Sequence, residues 1–100
     1  MMAIIDYGAG NLQSVEKALA HIGCPCTVVS SAQELPKAQG AVLPGVGAFG
    51  EAMSALRARG LDQAIKDFAA SGRPFLGICL GLQLLFQSSE ESPGVQGLGL

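Results

Sequence analysis

The sequence predicts an α/β fold, a doubly wound and mostly parallel sheet with helices on both of its faces. Short apolar runs alternate along the chain with apolar stripes at helical spacing, and glycine-rich turns separate the two kinds of segment. The chain of 100 residues is 49% hydrophobic and 14% charged, a composition that favours a single buried core. Strands that alternate with helices pair in parallel through right-handed crossovers, which is why these patterns indicate a doubly wound sheet.

Four apolar runs are the predicted strands: residues 3–7, 27–29, 40–43 and 75–78. The second run is β-branched, and the others end at turns rich in glycine or proline, as strands of a buried sheet do. Residues 30–38 form a polar connection with room for one helical turn. Ligand sites in such sheets lie beyond the carboxyl ends of the strands, so the loops at those ends are the candidate functional segments.

The predicted helices follow the first, third and fourth runs. Asn11 can cap the first helix at its start, and Gly23 stands where its C-terminal cap is expected. Residues 80–86 are apolar on nearly every side and predict a helix buried among its neighbours. The apolar stripes of the other three helices are Leu12, Val15, Leu19 and Ile22, then Phe49, Ala52, Met53 and Leu56, then Leu61, Ala64, Ile65 and Phe68.

Charge and hydropathy exclude several classes of function. Six Lys and Arg against eight Asp and Glu give a net charge of -2 with no basic block, which argues against a nucleic-acid partner. The longest uncharged apolar stretch, residues 74–86, is shorter than a membrane span, and the amino terminus lacks the pattern of an export signal. We therefore expect no membrane association and a cytoplasmic location.

The cysteines argue against a structural metal. Three cysteines and one histidine do not complete the usual zinc ligand set. Cys24 and Cys26 flank Pro25, and a disulfide across so tight a loop would be strained. We therefore predict that both are small, free and buried, as free cysteines usually are.

Gly77-Ile78-Cys79-Leu80-Gly81 is the strongest chemical motif of the sequence. It lies between a predicted buried strand and a predicted buried helix, in the G-x-nucleophile-x-G pattern of a nucleophile elbow. The following helix would direct the positive end of its dipole at Cys79 and lower the pKa of the Cys79 thiol. The Leu80 N–H would point to the position at which an oxyanion forms. A buried structural cysteine is the alternative interpretation of the same five residues.

A second glycine-rich loop, residues 44–50, follows the third strand. Its glycines match the G-x-G-x-x-G pattern of dinucleotide sites, but the next strand ends in Ile78 and Cys79 with no acidic residue to hold a ribose. Beside the cysteine elbow, this loop would supply a second oxyanion donor from its backbone. A simple tight turn is the remaining interpretation.

The first loop and the only histidine are less specific. The segment Gly8-Ala9-Gly10-Asn11 indicates only a tight turn. His21 falls on the solvent face of its helix by helical geometry, and so is not expected to act as the base for Cys79. Tyr7 is interpreted as an ordinary surface or turn residue.

Together these three loops resemble those of the class I glutamine amidotransferases. The matching segments are Asp6-Tyr7-Gly8-Ala9-Gly10-Asn11-Leu12, Leu43-Pro44-Gly45-Val46-Gly47-Ala48-Phe49 and Gly77-Ile78-Cys79-Leu80-Gly81-Leu82-Gln83. The first two segments are most similar to the branch of glutaminase subunits that serve imidazole glycerol phosphate synthases. The resemblance runs along essentially the whole chain and implies a flavodoxin-like sheet, incomplete at its carboxyl side.

The resemblance implies a thiol mechanism without a cofactor or a metal. Cys79 would attack the side-chain amide of glutamine. The glutamine and oxyanion site would be lined by Gly45, Gly47 and the Leu80 N–H. The Val46 peptide would be the mobile hydrogen-bond donor. Gln83 would hold the substrate. Ammonia would pass to a separate cyclase subunit, a barrel that makes imidazole glycerol phosphate and an aminoimidazole carboxamide ribotide in histidine biosynthesis. Asn11 and its loop would lie at the junction with that subunit.

One departure separates this sequence from the family pattern. The catalytic histidine and glutamate of the family follow the cysteine, and no histidine follows Cys79 here. We therefore expect residues 1–100 to be the amino-terminal portion of such a domain, to be inactive alone and to leave a hydrophobic sheet edge and face uncovered. Two other functions are open: a non-catalytic half-domain that binds a cyclase barrel, and another thiol hydrolase or amidotransferase on the same fold.

Overall fold

Strands and helices alternate along the chain, as the sequence predicts. The structure is a computed structural model that describes residues 1–8, 12–45, 47–78, 81, 84–86, 94 and 96–100. In chain order its elements are β1 (Met2–Ile5), α1 (Leu12–His21), β2 (Cys26–Val29), a one-turn 3₁₀ helix (Leu35–Lys37), β3 (Gly40–Leu43), α2 (Phe49–Ala58), α3 (Leu61–Ala70) and β4 (Phe75–Gly77). The bounds of β3 match the predicted run, and the 3₁₀ helix supplies the helical turn expected before it.

The four strands form one parallel sheet in the order β2-β1-β3-β4. Ile4 pairs with Val28 and with Val42, and Val42 pairs with Leu76, so these four residues form one row across the sheet. From β1 the chain continues to β2 at one lateral edge of the sheet, and from β3 it continues to β4 at the opposite lateral edge. Right-handed crossovers therefore put α1 on one face and both α2 and α3 on the opposite face, which confirms the doubly wound architecture.

The hydrophobic core fills the face that carries α2 and α3. Alternate strand residues such as Ile5 and Leu43 point to this face and are fully buried. All four predicted stripe residues of α2 are buried. Helix α3 buries Leu61, Ile65 and Phe68 against them. The period of 3.6 residues in these two segments therefore predicted their buried faces, although Ala64 of the predicted α3 stripe is only partly buried.

The opposite face, which carries α1, is covered less completely. Helix α1 contacts β1 and β2, yet none of its residues is buried. Ile22, predicted on its apolar stripe, is 73% exposed, because α1 ends at His21 and the chain turns away through Gly23, whose φ is +78°. The prediction for Ile22 is wrong, whereas the predicted cap position of Gly23 is confirmed by this left-handed conformation.

The prediction that Cys24 and Cys26 are buried is also wrong. Both are free thiols that remain partly exposed. They stand just before and at the start of β2, a strand that has a neighbour on only one side among the described strands. Desolvation, with a smaller contribution from the nearby Glu16 carboxylate, raises the pKa of the Cys26 thiol.

Arg73 connects the segments that precede β3 and β4, at the amino edge of the sheet, through hydrogen bonds. Its guanidinium donates from Nη1 to the carbonyl oxygens of Pro36, at 2.6 Å, and Ala38, at 2.8 Å. Its Nε donates to Ser71 Oγ at 2.8 Å, and its Cζ lies 4.2 Å from the centroid of the Phe68 ring. These contacts combine charge-assisted hydrogen bonds with a cation–π interaction and fix the two entry segments relative to α3.

Candidate active site

The three loops that the sequence marks for chemistry leave the sheet at one edge. Residues 6–11 follow β1, residues 44–48 follow β3, and residues 78–80 follow β4, so all three loops begin at the carboxyl ends of parallel strands. Strands β1 and β3 are neighbours in the sheet, and the chain leaves them toward opposite sides. Loops that diverge in this way open a crevice at the strand ends, where open α/β sheets bind ligands.

The residues on either side of the predicted cysteine turn lie against the start of the glycine-rich loop. The Ile78 N–H donates to the Leu43 carbonyl at 3.0 Å, and the Gly81 N–H donates back to the Ile78 carbonyl at 2.9 Å. A Cβ on Gly81 would lie 1.8 Å from the Leu43 oxygen and 3.3 Å from the Pro44 carbonyl carbon. Only glycine fits at this position, because any side chain would clash with the Leu43–Pro44 peptide.

The glycine-rich loop begins inside the protein and ends at its surface. Pro44 and Gly45 are buried, whereas Gly47 is exposed and has a φ of +100°. An L-residue with a side chain rarely adopts this conformation, so the turn needs glycine at position 47. Phe49 is fully buried and begins α2 immediately afterward. The backbone therefore turns from the sheet edge into the helix within five residues, with no bulky side chain between Pro44 and Ala48 in the described part of the loop.

Tyr7 joins the first loop to the second. Its hydroxyl donates to the Pro44 carbonyl oxygen at 2.7 Å in a buried hydrogen bond, and its side chain is 1% exposed. Burial raises the pKa of Tyr7 to about 12, so the phenol is neutral and able to donate throughout the physiological range. The interpretation of Tyr7 as an ordinary surface or turn residue is wrong. Ala3, Ile5 and Tyr7 alternate with a period of two and all join the core, a pattern that could have identified it.

The first loop has a fixed beginning. Asp6 Oδ1 accepts a hydrogen bond from the Gly8 N–H at 3.0 Å, which closes an Asx turn. Gly8 has a φ of +90°, and the Arg59 guanidinium lies 3.5 Å from the position that a Cβ on Gly8 would occupy. Arg59 Nη1 also donates to the Asp6 carbonyl at 3.4 Å. Arg59, in the turn after α2, therefore supports the start of this loop.

The structure locates some of the predicted site residues. Gly45 and Gly47 lie on the loop that Gly81 and Tyr7 contact through its first residues. Asn11, Val46, Cys79, Leu80 and Gln83 lie outside the described residues, so their predicted roles stay predictions.

His21 lies far from the candidate site in the fold. It is the last residue of α1, which returns from the carboxyl edge to the amino edge of the sheet, where Met2 N–H donates to the Pro25 carbonyl. It is also exposed, as predicted. Within the described part of the chain, no group of three or more His, Cys, Asp or Glu side chains is arranged to hold a metal, and no helix is long and apolar enough to cross a membrane.

The parallel sheet, with Gly81 packed on the Leu43–Pro44 peptide at its carboxyl edge, defines a class of α/β fold. Comparison with known proteins identifies the family within that class. Residues 3–95 match the family model described as glutamine amidotransferase class-I, and the chain belongs to that family. A solved structure described as a glutamine amidotransferase superposes with a TM-score of 0.83 at 19% identity, over 98% of this chain and 52% of that one, which shows the shared fold.

Sequence relatives make the branch of the family explicit. A protein of Desulfitobacterium hafniense (strain DSM 10664 / DCB-2) is 55% identical over all 100 residues, which cover 47% of its length. A protein of Sulfurimonas denitrificans is 54% identical over the same 100 residues, 48% of its length. Both are named imidazole glycerol phosphate synthase subunit HisH. The chain spans about half the length of the curated relatives it matches.

Proposed function

We propose that this chain carries the nucleophile and the oxyanion loop of a glutaminase subunit, which hydrolyses glutamine to glutamate and ammonia for an imidazole glycerol phosphate synthase. One observation carries the proposal: Gly81 packs on the Leu43–Pro44 peptide with no room for a Cβ. This contact supports a site in which the turn around Cys79 and the Pro44 loop face the same crevice. High identity to HisH relatives supports the choice of reaction.

The proposed reaction has two stages. The Cys79 thiolate attacks the side-chain amide carbon of glutamine, and the resulting tetrahedral intermediate collapses as its C–N bond breaks. The nitrogen takes up a proton and leaves as ammonia, and a γ-glutamyl thioester remains on the cysteine. Water then attacks this thioester, which releases glutamate and regenerates the thiol.

Backbone amides at the crevice would stabilise the negative charge on the substrate oxygen. The Leu80 N–H is one proposed donor and the Val46 peptide is the mobile one, with Gly45 and Gly47 lining the glutamine site. In enzymes, loss of one such donor costs ~2.7–4 kcal/mol of transition-state stabilisation. Gln83, one helical turn beyond Cys79 in sequence, is the proposed ligand of the substrate glutamine.

The leaving ammonia must take its proton from a group other than the only histidine of this sequence. His21 is exposed at the end of α1, at the edge of the sheet opposite the crevice. The family resemblance assigns this role to a catalytic histidine that follows the cysteine, with a glutamate close to it in sequence, and no histidine follows Cys79 here. Residues 1–100 alone are therefore expected not to turn over glutamine.

The proposed partner is a cyclase subunit, a barrel that uses the ammonia to make imidazole glycerol phosphate and an aminoimidazole carboxamide ribotide in histidine biosynthesis. The Asx turn of Asp6 and the support from Arg59 fix the beginning of the loop that contains Asn11, the proposed contact residue. The two subunits would form a heterodimer in the cytoplasm, and the ammonia would not leave the complex.

Glutamate release tests this proposal in the protein at the full length of its relatives, mixed with the cyclase subunit. We expect the Cys79→Ala variant to lose all detectable glutaminase activity and the Cys24→Ala variant to retain it, because Cys24 stands at the opposite edge of the sheet. The 100-residue chain should release no glutamate above the buffer blank. Activity in the Cys79→Ala variant would refute the nucleophile, and activity in the 100-residue chain would refute the need for a further base.

Alkylation separates the enzymatic function from a non-catalytic binding role. At neutral pH, iodoacetamide should modify Cys79 faster than Cys24 or Cys26, because only an activated thiol has a large thiolate fraction. The raised pKa of Cys26 makes it a slow internal reference. Equal rates for the three cysteines, resolved by peptide mass spectrometry, would favour the non-catalytic role.

A further inference from the structure

The Pro44 carbonyl is held by a side chain from another loop. Tyr7 lies 37 residues earlier in the sequence, and its hydroxyl donates to the Pro44 oxygen at 2.7 Å in a buried site. Tyr7 is 1% exposed and packs in the core cluster with Phe49 and Leu43. A rigid core side chain therefore sets the position of one peptide group in the glycine-rich loop.

Fixing one carbonyl also fixes the next amide. The described chain has no cis peptide bonds, and in a trans peptide the C=O and N–H point in opposite directions. The Tyr7 bond to the Pro44 oxygen therefore sets the direction of the Gly45 N–H. Such an anchor matters here because glycine has the softest backbone, and the loop contains Gly45 and Gly47 on either side of Val46.

The Leu43–Pro44 segment is also contacted by the residues on either side of the predicted cysteine turn. Gly81 packs on the Leu43–Pro44 peptide, and the Ile78 N–H uses the Leu43 oxygen. The cysteine turn thus supports the loop through backbone contacts, whereas Tyr7 provides the side-chain hydrogen bond. Because this hydrogen bond is buried, bulk water cannot replace the Tyr7 hydroxyl as the donor to the Pro44 oxygen.

We propose that Tyr7 is a positioning residue for glutamine hydrolysis, whose hydroxyl holds the Pro44–Gly45 peptide so that the following loop presents its amides to the developing oxyanion. This role rests on the proposed function. Tyr7 touches neither substrate nor thiol in this role and acts through the backbone of residues 44–47. It also joins the proposed partner-facing loop to the proposed oxyanion loop by a single hydrogen bond.

The test compares Tyr7→Phe with the parent at the full length of the relatives and in complex with the cyclase subunit. Loss of the hydroxyl alone should lower the kcat for glutamine hydrolysis by about 10- to 100-fold and leave KM within about twofold, because the loop is misplaced mainly for the transition state. Phe68→Leu, which alters a buried aromatic residue of α3 away from the crevice, is the matched control for lost stability. It should lower the melting temperature and leave kcat unchanged.

Hydrogen exchange provides a readout that does not depend on turnover. Amides of residues 45–48 should exchange faster in Tyr7→Phe than in the parent, while those of α3 should be unaffected. A Tyr7→Phe enzyme with parental kcat, or with unchanged exchange at residues 45–48, would overturn the positioning role. A parent complex that releases no glutamate would instead refute the proposed function, a result that the Tyr7 variant cannot produce by itself.

Discussion

The two faces of the sheet are covered to different degrees. On the face of α2 and α3, side chains from all four strands and both helices enter one core, and Leu56, Ile65 and Leu84 are fully buried. On the face of α1, the central residues Ile4 and Val42 are buried, but Leu76 in the same row is 56% exposed. Burial on this second face therefore decreases toward β4.

The difference shows what a periodic sequence does and does not specify. An apolar stripe defines which side of an element avoids water, but the extent of burial depends on what packs over it. Helix α1 packs mainly on β1 and β2, at the far side of the sheet from β4, and the apolar side chain of Leu76 on β4 remains largely exposed. We expect the folding free energy to come mostly from the α2 and α3 face.

The largest effect is expected for Leu56→Ala, at the centre of the well-covered face. Leu56 is fully buried in α2, and its truncation should lower the free energy of unfolding by about 2–5 kcal/mol through lost burial and a residual cavity. Denaturant unfolding followed by far-ultraviolet circular dichroism measures this change. A loss below ~1 kcal/mol would mean that this face is not the main source of stability.

An alkaline titration tests the burial of Tyr7, at the end of the core nearest the candidate site. The pKa of Tyr7 is raised from 10.0 to about 12 in the fold, so its contribution to stability is full below pH 10 and is lost as the pH rises through 12. The complete loss is at most ~2.7 kcal/mol. Phenolate absorbance of the 100-residue chain, which contains one tyrosine, follows the ionisation directly. Half-ionisation near pH 10 in the folded chain would show that the hydroxyl is solvated.

The matched substitution on the other face is Leu19→Ala. Leu19 lies on the apolar stripe of α1 and is only partly buried, so the loss should be about 1 kcal/mol, well below that of Leu56→Ala. The same unfolding experiment applies. Equal losses for the two leucines would eliminate the distinction between the faces.

The smallest effect on stability is expected for Leu76→Lys, within about 0.5 kcal/mol, because the side chain is already largely exposed. Its consequence should be reduced self-association of the 100-residue chain, since β4 presents an apolar residue at the edge of the described sheet. Sedimentation velocity at several concentrations measures this effect. A parent chain that is a monomer throughout would contradict the expected association.

Local patterns predicted the order of strands and helices, but the strand predicted as buried at residues 75–78 is only partly buried, with Leu76 56% exposed. The run at residues 40–43 could only be a buried strand beside a glycine turn, and the stripes of α2 and α3 required one covered face each. Ile22 was predicted wrongly because α1 ends one residue before it, and Cys24 and Cys26 because β2 has a neighbour on only one side among the described strands. Sequence periodicity specifies neither feature.

Glycine motifs predicted tight turns around the candidate site, whereas the roles of the site residues stay predictions. The crowding at Gly81 and the left-handed conformation of Gly47 follow from backbone sterics that a sequence motif encodes. Tyr7 was missed because the glycines after it suggested a turn, although its alternation with Ile5 continued the strand pattern. Its partner is a main-chain oxygen, and no residue type in the sequence marks that acceptor.

The Arg73 contacts at the amino edge have a consequence for protein engineering. The Arg73 guanidinium contacts the segments that precede β3 and β4, at the edge of the sheet opposite the candidate site. These contacts therefore do not involve the loops at the carboxyl ends of the strands. Loops grafted from distant relatives onto the three strand ends should therefore leave the Arg73 contacts intact, provided that the grafts keep Tyr7 and Gly81, which contact the Leu43–Pro44 segment. A chimera that also changes Arg73 would alter the scaffold on which any new specificity is built.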